Sequence, residues 1–117
     1  MVWPQHELLT QMREIGVAPE DVCHVVMSHA HLDHTGNLRH FPHAKVWMQK
    51  AEYDFAFKGP EHPAVVRADI DAPGLDWSLI NGDHEIMPGI TLVSTPGHTP
   101  GHQSALVSLP KSGRALL

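Results

Sequence analysis

A chain of 117 residues, 42% hydrophobic and with a formal charge of −5, is long enough for one buried core and is roughly single-domain in size. It contains no run of five like charges, which argues against a dedicated nucleic-acid surface or an acidic tail. No apolar stretch approaches the roughly 18 to 20 residues that span a bilayer, and the opening Met1-Val2-Trp3-Pro4-Gln5-His6-Glu7 lacks the basic and apolar regions of a secretory signal. The expectation is a cytoplasmic protein with no membrane or nucleic-acid partner, acting on small molecules.

Pro4, then Leu8, Leu9, Met12 and Ile15 at helical spacing, then Gly16, predict an amphipathic helix over about residues 5 to 15. Val22-Cys23-His24-Val25-Val26-Met27 predicts a short buried strand. Cys23, the only cysteine, excludes an intrachain disulfide and is expected in the core. Ala44 to Met48 predicts a second strand, and Gln49 to Phe57 a helix that stops at Gly59-Pro60. Glu61 to Gly74 reads as a loop with one helical turn, its Asp69-Ile70-Asp71 in solvent. Leu75 to Ile80 alternates as a half-buried strand, and Asn81-Gly82-Asp83 offers the left-handed residues of a tight turn. Strands continue over Glu85-Ile86-Met87, Ile90 to Ser94, Ala105 to Leu109 and Arg114 to Leu117. Tyr53, Trp47 and Trp77 read as packing residues.

The densest chemistry lies in His29-Ala30-His31-Leu32-Asp33-His34, three imidazoles and a carboxylate within six residues at the carboxyl end of the first strand. Such a nitrogen and oxygen set suits zinc, and also iron or manganese. Residue frequencies give roughly one chance in two hundred of an accidental match, so ligation outweighs a merely solvated loop. A second Gly/Pro loop, Thr95-Pro96-Gly97-His98-Thr99-Pro100-Gly101-His102, also follows a strand. His29, His31 and His98 together would leave a tetrahedral zinc one open position, as a catalytic site requires. His102 is expected to fix the turn into the next strand, and His6, His24, His40, His43, His62 and His84 to be structural or solvent-facing.

With these residues in view, the chain resembles the metallo-β-lactamase superfamily and, within it, the N-acyl homoserine lactonase-like, quorum-quenching branch. Ser28 to Asn37 resembles the first metal motif, and Gln49-Lys50-Ala51-Glu52-Tyr53, Asn81-Gly82-Asp83-His84-Glu85 and Thr95 to Ser104 resemble lactonase segments in the same order. The resemblance covers most of the chain from about Glu20 onward. It implies an α+β fold, a partial αββα sandwich of the metallo-β-lactamase type, over residues 1–117. It also implies His29, His31 and His98 as ligands of one metal and Asp33 and His34 as ligands of another, with Asp33 the catalytic carboxylate. Two zinc ions per complete site are implied, with iron or manganese as alternatives. The reaction implied is attack by a metal-bridging hydroxide on a lactone or ester carbonyl.

Family members carry opening β-hairpins before the first helix, and a bridging Asp, a further His ligand and an assisting phenol after the strand that here begins at Arg114. The resemblance therefore implies an internal piece, lacking the N-terminal hairpins and the C-terminal half. Weak or single-metal binding is expected of such a piece, unless a second copy in a homo-oligomer supplies what is missing. A glyoxalase II-like thioesterase and a metal-binding fragment without turnover are the competing functions.

Overall fold

The computed structural model describes residues 3–117; Met1 and Val2, the start of the predicted 1–117 domain, lie outside the described residues. A 3-10 turn, Pro4–His6, leads into helix α1, Leu8–Glu14. After a second 3-10 turn, Pro19–Asp21, comes strand β1, His24–Val26, and then the four-residue helix α2, Leu32–Thr35. A third turn, Leu38–His40, precedes β2, Lys45–Gln49, and helix α3, Lys50–Lys58. Helix α4, Arg67–Ile70, is followed by β3, Asp76–Ile80; β4, His84–Met87; β5, Ile90–Ser94; β6, Gln103–Leu109; and β7, Gly113–Leu116.

The strands form two sheets, as the predicted sandwich class requires. One is parallel with order β1-β2-β3, and the other antiparallel with order β4-β5-β6-β7. Parallel pairing of β1 with β2 puts His24 beside Lys45, and β2 with β3 puts Lys45 beside Asp76. The parallel sheet buries Val46 and Met48 against Ala56 of α3, Ile70 of α4, and Met27, Ala30 and Leu38. Tyr53, Phe57 and Trp77 close over this cluster, Tyr53 lying 4.5 Å from Phe57 and 5.6 Å from Trp77 between ring centroids. The exposed face of α3 carries Asp54 between Lys50 and Lys58 at i,i+4 spacing, and their hydrogen bonds lower its carboxyl pKa.

Some local expectations are corrected. The first strand is short and only half-buried, and Cys23 lies before it, exposed rather than in the core. Ile70 is fully buried, because the turn that carries it becomes α4 and packs on the parallel sheet. Gly82, at φ 81°, does make a turn, but one that passes the chain from the parallel to the antiparallel sheet, since β3 and β4 are not paired. Trp47 does pack, half-buried between the rings of His24 and His84 at 6.2 and 5.4 Å.

What joins the sheets is polar. Gln103, fully buried at the start of β6, donates through Nε2 to the carbonyls of Met27 at 2.8 Å and Trp47 at 3.1 Å, and its backbone N–H donates to Ser28 at 2.9 Å. Gln49 donates to Gln103 Oε1 at 3.0 Å and to the Gly82 carbonyl at 2.9 Å, and accepts from the Gly82 N–H at 2.9 Å. Replacing Ile70 by Ala is expected to cost about 2–5 kcal/mol of stability, whereas Asp71→Ala stays within about 0.5 kcal/mol. Urea unfolding of the two variants distinguishes this packing from a solvated loop.

Candidate metal centre

Both histidine loops leave strands, one from each sheet. β1 ends at Val26 and the chain bends through Met27 and Ser28 into His29-Ala30-His31, with His31 at the N-cap of α2 in extended conformation. Successive side chains therefore point differently: Ala30 is buried in the apolar cluster, while His29 and His31 turn away from it toward each other. From the antiparallel sheet, β5 ends at Ser94 and the loop to β6 brings His98 to the same place. The loop is closed by the Thr95 N–H donating to the His102 carbonyl and the Gly97 N–H donating to that of Thr99.

His29 stands at the centre. Its ring centroid is 4.2 Å from that of His34, 4.7 Å from those of His31 and His98, and 5.3 Å from that of His102, while His31 and His98 are 4.9 Å apart. Two donor groups result, His29 with His31 and His98, and His29 with Asp33 and His34. Within each, one ligand atom per residue lies within 4.8 Å of the others. The Ser28 hydroxyl is 3.0 Å from His29 Nδ1, which engages that nitrogen and leaves Nε2 as the free donor. Asp33 Oδ2 is 3.6 Å from His34 Nε2, and both side chains are exposed.

All five predicted residues, His29, His31, Asp33, His34 and His98, thus come together across loops about seventy residues apart. One detail differs from the implied partition, because His29 approaches both groups rather than one. His102 keeps the turn-fixing part expected of it, its Nδ1 lying 2.9 Å from Thr95 Oγ1. Sequence reasoning missed His62, which stacks on His31 at 5.6 Å with planes only 9° apart. It also missed Glu52, whose carboxylate accepts hydrogen bonds from both loops.

Burial, and then the neighbouring imidazoles of His34, His31, His98 and His102, lower the His29 pKa from 6.5 to about 4. The central imidazole is therefore neutral at pH 7, the form in which histidine ligates. Imidazole nitrogens with one nearby carboxylate oxygen make a donor set that fits a divalent zinc, iron or manganese ion.

The family model of the metallo-beta-lactamase superfamily matches residues 2–116. The chain belongs to the metallo-β-lactamase superfamily. Membership implies divalent metal binding, which the imidazole-rich groups fit. Among relatives of this chain, the N-acyl homoserine lactonase AttM of Azorhizobium caulinodans is 46% identical over 118 residues, covering 93% of this chain and 44% of the relative. An N-acyl homoserine lactonase of a Bacillus species is 37% identical over 113 residues, covering 97% and 44%. A solved N-acyl homoserine lactone hydrolase, with the product N-hexanoyl-L-homoserine at its catalytic metal centre, superposes with a TM-score of 0.85 at 31% identity, again covering 97% of this chain and 44% of the other. The chain spans less than half the length of the curated relatives it matches.

Between pH 6.5 and about 4, unfolded chains protonate at position 29 while folded, metal-free ones do not. Stability of the metal-free chain should thus be full above pH 6.5, fall as the pH drops below it, and level off once the pH is below about 4. Urea unfolding in chelator at pH 7.5 and pH 5 measures this, and His29→Gln should flatten the difference.

Proposed function

We propose that this chain carries the metal-binding part of a hydrolase domain that opens lactones of the N-acyl homoserine type, or related carboxylic esters. The observation that carries the reading is the convergence of His29 and His31 with His98 from a loop of the other sheet. The kinship with N-acyl homoserine lactonases supports the choice of substrate class. The same reading takes the ion to be zinc, two per complete site.

In this reading His29, His31 and His98 hold one ion, and Asp33 and His34 contribute to holding a second. A bound divalent cation would supply Lewis acidity at the carbonyl and make water acidic enough to ionise near neutral pH. The chain's own part is to present the imidazoles together, that of His29 held neutral by burial and by the rings around it. Ser28 orients the His29 ring through Nδ1. Asp33 is the only carboxylate in the two donor groups, and its Oδ2, beside His34 Nε2, is the acceptor assigned to the proton lost by the attacking water. No protein nucleophile is needed.

Equilibrium dialysis against zinc should load the chain and leave His31→Ala and His98→Ala largely empty. Acid release from an N-acyl homoserine lactone should require the zinc, stop with chelator and fall to the uncatalysed rate in both variants. Equal rates in the parent chain and His31→Ala would sink the reading, and turnover of a thioester without any lactone opening would move it to a thioesterase.

A further inference from the structure

Among the described residues Glu52 is the one buried carboxylate, with 0% exposure. It lies in the first turn of α3, a helix that contributes nothing to the donor groups. Its Oε1 accepts a hydrogen bond from the N–H of Ala30, between His29 and His31, at 2.8 Å. Its Oε2 accepts one from the N–H of Gly101, three residues after His98, at 3.0 Å. No cationic side chain pairs with it among the described residues. A carboxylate removed from water with two amides as its partners is costly for stability alone.

The approach of the second loop is equally constrained. A Cβ on Gly101 would fall 2.1 Å from the Glu52 nitrogen and 2.6 Å from its Cβ, so only glycine lets that backbone rest on the helix. We propose that Glu52 is a positioning residue for metal binding. By drawing one amide from each histidine loop onto a single carboxylate, it sets the separation of His29 and His31 from His98 before an ion arrives. This rests on the reading of those three histidines as ligands. Without the clamp the ion must gather the loops itself, and that reorganisation is subtracted from its affinity.

Cobalt(II) tests the idea, because its visible absorption reports ligand geometry independently of turnover. In Glu52→Gln one acceptor oxygen becomes an NH2 facing a backbone N–H. Cobalt affinity should fall about 10–100-fold and the visible band should change. Far-UV circular dichroism and the amide protection of Val46 and Leu92 should stay as in the parent, while the metal-free amides of Ala30 and Gly101 lose protection. Glu52→Asp, which keeps the charge but is too short to reach both amides, should fall between. In a His98→Ala chain, where the second loop has no ligand to position, Glu52→Gln should change cobalt affinity less than about threefold.

A folded Glu52→Gln chain with the parent's cobalt affinity and spectrum overturns the proposal, as does an equal loss in the His98→Ala background. Should Glu52→Gln not fold, parent-like affinity in Glu52→Asp overturns it instead. A parent chain that binds no cobalt refutes the ligand reading itself, and the proposal with it, which is a different result from a parent that binds and a variant that binds as well.

Discussion

Everything at the metal centre depends on buried polar side chains that tie one sheet to the other. Gln103 fastens β6 to the carbonyls of Met27, just after β1, and Trp47, midway along β2, and Glu52 fastens both histidine loops to α3. Apolar packing is not directional and would tolerate small slides of one sheet over the other. Hydrogen bonds to a carboxylate, each contributing about 1.5–3 kcal/mol and leaving a costly orphan if broken, admit only one register. Rings 4 to 5 Å apart must keep their mutual geometry to share an ion, so this directionality is what the centre requires.

The charge arrangement follows the same logic. Five imidazoles crowd together, and protonating the central one, His29, is disfavoured by burial and by its neighbours. At that nitrogen a dication meets less competition from protons. Carboxylates are distributed accordingly, with Asp33 exposed at the mouth and Glu52 buried behind the loops, where it touches backbone and not ligand nitrogens.

Much of this was legible in the sequence because it is encoded locally. The candidate ligands of the first loop lie within six residues, and the strand and helix patterns around them are short, so spacing alone singled them out. A second Gly/Pro loop after a strand put His98 with them, and the rings do meet. What stayed hidden depends on distant contacts. The turn at Gly82 has the dihedral its sequence asks for, yet nothing in Asn81-Gly82-Asp83 says that the next strand joins another sheet. Ile70 between two aspartates carries no apolar period, and its burial comes from the surface it meets. Glu52 reads as an ordinary solvated helix residue, since amphipathic patterning assigns charges outward, and only the approach of Gly101 gives it a reason to be inside.

The topology also orders the events of assembly. The pairs β4–β5, β5–β6 and β6–β7 join neighbours along the chain and cost little loop-closure entropy, so they are available early to a folding polypeptide. The bonds from Glu52 to Gly101 and from Gln103 to Met27 span 49 and 76 residues. They can form only when two separately organised sheets dock, which makes the ion-binding geometry a late product of folding, one that a chain arrested with each sheet intact would still lack.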